Sequence, residues 1–389
     1  MKKVILLCLI IITSIWGQNT DDLKKKIDRV QPGDSRFLLR GYAHSGLEVL
    51  DDESSFVGGS FNPIFLWQQS DRLLFEAELE LELEDGETHL ALEYANMSYI
   101  LNDYATIRLG KFLMPFGTFA ERLHPRWINR LPSNPLGFGH ESVGPARDLG
   151  IELRGGSDLG TGKINYSVYV SNGPGLNDGT DPELEAEEAG MLNYDNSDDN
   201  NPNKAIGGRL GILPLSNSSI EIGISGQYAK VGNHDSDFED IGALLYAFDF
   251  SYVNKINFLK GFVDIKGQFN GVDVDQANYL NGEDSSSYRF DNLSQAYYVQ
   301  LSYRPANIGL SFFEDLEFVG RYSSLDFPEG ALWEGHETQY AFGINYWLDW
   351  RTVIKLSYQT EESEGGHGDE AADAHASSDA ILLHWSFGF

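Results

Sequence analysis

The sequence predicts an all-β chain, a transmembrane antiparallel β-barrel of about 16 strands with short periplasmic turns and long extracellular loops. Three observations predict it. Hydrophobicity alternates with period two over most of residues 36–389. The connections between the alternating segments are by turns short and long. The last segment is aromatic-rich and ends on Phe389.

The residues ahead of the alternation are expected to be a leader. Lys2 and Lys3 precede a short apolar run, Val4 to Ile12, and the small residue Gly17 ends a cleavage pattern, so residues 1–17 read as a signal peptide. The run is too short to span a bilayer as a helix. The single cysteine, Cys8, lies inside it, so no disulfide is expected in the mature chain. Residues 18–35 hold the charged stretch Asp21 to Asp28 and the breaker Pro32-Gly33, and read as a short periplasmic segment. Residues 36–389 form the barrel. No run of about 20 apolar residues follows, which excludes helical spans. A net charge of −31 argues against nucleic acid as a partner.

Leu73 to Glu84 shows the alternation most clearly. Leu73, Phe75, Ala77, Leu79, Leu81 and Leu83 share one face, and Glu76, Glu78, Glu80, Glu82 and Glu84 share the other. A helix would scatter the glutamates around its circumference, whereas a strand separates the two sets. Ile220 to Tyr228, Leu244 to Tyr252, Tyr297 to Tyr303 and Tyr340 to Leu348 repeat the pattern. The short connections are 70–72, 102–104, 216–218 and 349–350. The long ones are about 116–145, 172–203, 231–240, 273–293, 324–336 and 361–378. Short turns on one rim and long loops on the other are the outer-membrane arrangement, and an even strand count puts both ends on the short-turn rim. Trp385, Phe387 and Phe389 give the last strand the look of the assembly signal of outer-membrane proteins, which implies the barrel-assembly machinery as a partner.

The stretch Leu109-Gly110-Lys111-Phe112-Leu113-Met114-Pro115-Phe116-Gly117, continuing to Glu121-Arg122-Leu123-His124-Pro125, resembles the phosphate-selective porin O/P family. The late hairpin around Asn345 to Leu348 and Val353 to Tyr358 is similar to that family as well. The resemblance implies a 16-stranded barrel, a trimeric assembly and a third extracellular loop folded into the lumen. It does not carry phosphate specificity, because no ladder of basic side chains along one path can be recovered from the sequence.

A channel needs a polar lumen, and the alternation supplies one. Candidate lumen residues are the glutamates of 76–84 with Arg108, Asp148, Glu152, Arg154, Arg209, Asp264, Lys266, Glu317 and Arg321. Loop three carries Arg122, His124, Arg126 and Arg130 around Trp127 and Ile128. Folded inward, these basic residues would oppose Glu76, Glu78, Glu80 and Glu82 across a constriction, with Arg108 beside them, and the field would favour polar solutes. The same arginines could instead pair structurally with wall glutamates. Either way the expected function is passive diffusion of small polar solutes or inorganic ions through the bacterial outer membrane, with no cofactor.

Two other functions fit a barrel. An adhesin or receptor would act through the acidic loops. Glu183 to Asp199 and Glu361 to Asp373 are rich in carboxylates, which serve solubility or bridge through divalent cations to lipopolysaccharide. An enzyme would need a nucleophile with an oriented base, and His140-Glu141-Ser142 is the sole fragment of that kind, with no nucleophile-elbow, phosphate-loop or zinc motif. His367, Asp369, Glu370, Asp373 and His375 offer ligand types without a metal-site spacing, so no metal is assigned. Outward Leu79, Leu81, Leu83, Leu90 and Leu92 mark the early strands as the expected subunit contact of a homotrimer.

Overall fold

The computed structural model describes residues 36–50, 53–84, 86–139, 142–180, 184, 186–194, 199–281, 286–365 and 375–389. The expected signal and lead-in segments, the His140-Glu141 pair and residues 367–374 of the His/carboxylate cluster lie outside the described residues.

Sixteen strands close into one antiparallel barrel. The chain begins with β1 (Arg36–Leu50), β2 (Glu53–Gln68), β3 (Leu73–Glu84), β4 (Glu87–Asn102), β5 (Ala105–Leu113), β6 (Arg147–Leu159) and β7 (Gly162–Ser171). A small ribbon of β8 (Gly175–Leu176) and β9 (Leu192–Asn193) stands in the next loop. The barrel resumes with β10 (Ala205–Leu213), β11 (Ile220–Lys230), β12 (Gly242–Ile256) and β13 (Gly261–Val274). A second loop ribbon, β14 (Tyr279–Leu280) with β15 (Ser287–Tyr288), precedes β16 (Asn292–Pro305), β17 (Leu316–Asp326), β18 (Gly335–Trp347), β19 (Thr352–Gly365) and β20 (His375–Gly388). β20 returns to β1, with Tyr42 opposite Gly388 and Leu50 opposite Ala380. Beyond that ladder Gly41 and Phe389 exchange both backbone hydrogen bonds, and the Phe389 ring stacks on Phe61 at 5.5 Å.

Closure satisfies the backbone within the sheet, the condition for crossing hydrocarbon. Outward side chains such as Val168, Ile224, Phe248, Val299, Phe342 and Leu356 are exposed, while inward Asp249, Gln268, Ser302 and Asn345 on the same walls are buried. The short-turn rim carries exposed Tyr104, Phe258, Phe312 and Trp350, aromatic groups suited to a membrane interface. No helix among the described residues is long and apolar enough to span.

Two features differ from the sequence reading. The long-loop rim is low on one side: residues 51–52 join β1 to β2 and 85–86 join β3 to β4, with Leu50 opposite Glu53 and Glu84 opposite Glu87. Strand pairing also runs beyond the expected ends. β17 reaches Asp326, β18 starts at Gly335, β19 reaches Gly365 and β20 starts at His375, so Glu361, Glu362 and Glu364 are strand residues rather than loop residues. The cause is solvation. Above the bilayer both faces of a strand meet water, so alternation stops although the hydrogen-bond ladder continues.

The largest apolar cluster lies inside the long-loop half of the barrel. Phe116, Phe119 and Phe138 from loop three pack with Leu176 and Leu192 of the next loop, Tyr298 of the wall, and Phe290 and Trp333 of later loops. Phe138 meets Tyr298 edge-on at 5.0 Å.

Candidate functional site: the lumen and its third loop

Residues 114–139 and 142–146, which follow β5, lie within the barrel. Three backbone groups fix the inward turn. Gly117 N–H donates to Ser225 Oγ at 3.0 Å, and Thr118 and Phe119 N–H donate to Gln268 Oε1 at 2.8 and 3.0 Å. Gly117 has φ +65°, and a Cβ there would overlap the Gln268 amide, so the turn requires glycine.

The loop is then tied to β17–β20 through its own carbonyls. Arg321 donates to Ser133 O and Asn134 O at 2.9 Å and to Ser133 Oγ at 2.8 Å. Lys355 donates to Asn129 O at 2.5 Å and to Arg126 O. Asn345 donates to Arg130 O at 2.8 Å, and Ser386 to Arg126 O at 3.2 Å. Each hydrogen bond from a charged donor is worth about 1.5–3 kcal/mol. Trp127 meets Trp350 edge-on at 6.5 Å, which holds the bottom of the loop against the short-turn rim.

An alternating chain of charges runs along the β5–β12 wall by way of loop three. Arg108 pairs with Glu152 at 2.6 Å, Arg154 with Glu121 at 2.6 Å, Arg122 with Glu221 at 3.0 Å, and Arg209 with Asp249 at 2.6 Å and Glu221 at 3.1 Å. Glu121 also lies 3.7 Å from Arg108 and 3.9 Å from Arg122. Burial pushes the Glu121 carboxyl up, but Arg154, Arg108 and Arg122 outweigh it and hold it below the usual carboxylate range. His124 is different. Burial lowers its imidazole to about 4, and its Nδ1 bonds Ala120 O at 2.5 Å.

Two cavities lie on either side of the loop. The upper one, about 460 Å³, is bounded by Tyr42, His44, Glu80, Glu82, Glu93 and Arg147 on the wall and by Phe119, His124 and Arg126 of loop three. The lower one, about 430 Å³, is bounded by Glu76, Arg108, Glu121, Arg122 and Arg154. Glu78 stands between Glu76 and Glu80 on the lumen face of β3 and is 1% exposed.

The basic residues of loop three are thus dispersed. His124 and Arg126 share the upper cavity with Glu80 and Glu82, and Arg122 shares the lower one with Arg108 and Glu76. Arg130 lies against β17 and β13, 3.2 Å from Glu317 and 3.7 Å from Asp264, with its guanidinium over Trp347. Arg126 donates to Pro132 O at 2.7 Å within the loop. Trp385 and Phe387 face outward on β20 and Phe389 closes the seam.

Sequence reasoning missed Glu121 as the hub, Arg147, which binds Glu93 at 2.5 Å, and the anchor Lys355. Lys355 did leave a signal, a lone basic residue at an inward position between outward Ile354 and Leu356.

No family model matches the chain, and no curated protein matches it in sequence. Solved structures match in fold. The outer membrane channel DcaP of Acinetobacter baumannii gives a TM-score of 0.57 at 11% identity, over 92% of this chain and 99% of that one. The anion-selective porin from Comamonas acidovorans gives 0.54 at 12%, over 92% and 100%. The trimer form of OmpT from Vibrio cholerae gives 0.52 at 10%, over 91% and 99%. The fold is that of the outer-membrane porins. At such identities the likeness carries the barrel and none of its lumen side chains.

Proposed function

We propose that the chain is a porin of the bacterial outer membrane, a water-filled channel for passive diffusion of small polar solutes or ions, with no catalytic role. The observation that carries this reading is the pair of cavities on either side of loop three, both walled by β3 glutamates, inside a closed barrel. Ions cannot cross hydrocarbon unsolvated, and a polar lumen removes that barrier. In this reading loop three and β3 form a charged constriction between the cavities. The Gly110–Gly117 stretch, which resembles the phosphate-selective porin O/P family, turns the chain inward, and we take that resemblance as one of layout.

We propose further that three copies assemble, as the OmpT neighbour does in its trimer form, through the leucine-rich outer face of β3 and β4. One measurement addresses pore and assembly together. The purified, heat-modifiable barrel is inserted into a planar bilayer in KCl. Conductance appearing in groups of three equal steps is expected. A folded barrel that never conducts would remove the channel reading, and isolated single steps would remove the trimer.

A further inference from the structure

β3 passes the loop-three barrier along its whole height. It rises from Leu73 on the short-turn side to Glu84 on the long-loop side. Glu76 lines the lower cavity, Glu80 and Glu82 line the upper one, and Glu78 lies between them on the same face of β3, buried. Same-face residues of a strand are about 7 Å apart, so the four carboxylates cover about 20 Å, most of a barrel's apolar band of about 25 Å.

A second observation concerns the wall around Glu78. Three buried oxygens on β2, β3 and β4 accept no hydrogen bond: Glu78 Oε1, Asn62 Oδ1 and Asn96 Oδ1. Their residues are 1%, 1% and 2% exposed. They belong to three adjacent strands. The register places Ile64 of β2 and Tyr94 of β4 opposite Glu78, and Asn96 opposite Glu76. Asn62 reaches Glu80 with its amide nitrogen at 3.4 Å, which leaves its oxygen over for another partner. Acceptors with no donor leave their negative potential uncompensated on this stretch of wall, which favours a cation in the adjoining lumen.

The arginines nearby are committed elsewhere. Arg108, Arg154, Arg122 and Arg209 are matched with Glu152, Glu121, Glu221 and Asp249. Glu76 and Glu78 form no ion pair with any described residue. Arg122 and Arg130 of loop three pair with Glu121, Glu221, Asp264 and Glu317 rather than with Glu76 or Glu78.

On the channel reading above, we infer that the pore selects small monovalent cations, which pass along the β3 carboxylates, with Glu78 and the Asn62 and Asn96 oxygens adding negative potential from just behind the lumen surface. A row of sites, each weak enough to leave, permits conduction without trapping.

The test uses the intact barrel in a planar bilayer under a tenfold KCl gradient. The wild type is expected to reverse at a potential of the K⁺ sign. Glu78→Gln and Glu76→Gln should each lower the K⁺/Cl⁻ permeability ratio by up to about tenfold, since one unit charge at about 6 Å in water favours K⁺ and disfavours Cl⁻ by about threefold each. A wild-type pore that is unselective or prefers Cl⁻ overturns the inference, as does a conducting Glu78→Gln pore with an unchanged ratio. Should Glu78→Gln fail to give a heat-modifiable barrel, Glu76→Gln, on the open lower cavity, decides the question by the same criterion. Absence of any wild-type conductance strikes the channel reading instead.

Discussion

The two sides of the lumen use the same residue types for opposite ends. On β11–β20, inward polar side chains are spent on loop three. Gln268, Arg321, Asn345 and Lys355 bind its backbone, and Glu221 and Glu317 bind its arginines. On β1–β4, inward Tyr42, His44, Glu80, Glu82 and Glu93 border a cavity. A carboxylate on an inner wall is thus an anchor where a loop arginine meets it and a cavity lining where the loop stands off. The difference lies in the loop's route, which the Gly117 turn and the Gln268 amide direct toward the far wall.

Breaking the anchored side should have the largest effect. Arg321→Ala strips hydrogen bonds from two loop carbonyls in a buried setting, and a loss of about 3 kcal/mol is expected. Loop three should swing from the wall, so the gel-shift temperature of the barrel should fall and single-channel conductance should change with added open-state noise. Unchanged current in a destabilised barrel would mean that the loop stays docked without this anchor.

Glu121→Gln sharpens the comparison at the middle of the charge chain. It leaves Arg108, Arg154 and Arg122 with one carboxylate fewer, and about 2 kcal/mol of stability should go with it. The reversal potential should move toward anions, because net positive charge appears beside the lower cavity. A shift toward cations would show that the arginines do not face the solute path.

The smallest expected effect is a pH response of the loop itself. His124 sits at about 4, below its ordinary 6.5, because burial opposes the charged form. Its contribution to stability is therefore complete above about pH 6.5 and is lost as pH falls toward 4. Current fluctuations should grow between pH 6 and 4, and His124→Asn should abolish that growth. An identical pH response in the variant would assign it to the carboxylates.

The strands were readable because a bilayer imposes alternation on any segment that crosses it. Leu73 to Glu84 matches β3 end to end, and Glu76, Glu80 and Glu82 line the inner cavities. Legibility ended where that constraint ends. Glu361 to Gly365 is paired strand outside the apolar belt, wet on both faces, and its sequence looks like a loop. The two-residue connections after Leu50 and Glu84 carry no length signal that separates the rims. The inner site was legible by residue type and not by partner. Arg122 finds Glu221, and Arg130 finds Glu317, far along the chain, and no local pattern encodes which inward carboxylate stands across the lumen. Glu121 went unread because it is one acid among basic neighbours, and its role exists only where Arg108 and Arg154 converge on it.

The span of the loop-three contacts also dictates an order of folding. Arg126 is held by Lys355, 229 residues later, and by Ser386, 260 residues later. Ser386 lies on β20, the strand that seals the barrel against β1. Contacts of such separation form late, since the intervening chain must first be in place. The Arg126 anchorage cannot be complete before the last strand arrives. Sealing the seam and fully seating loop three are then a single event: an unsealed intermediate would lack part of the tether that holds the loop inside the barrel.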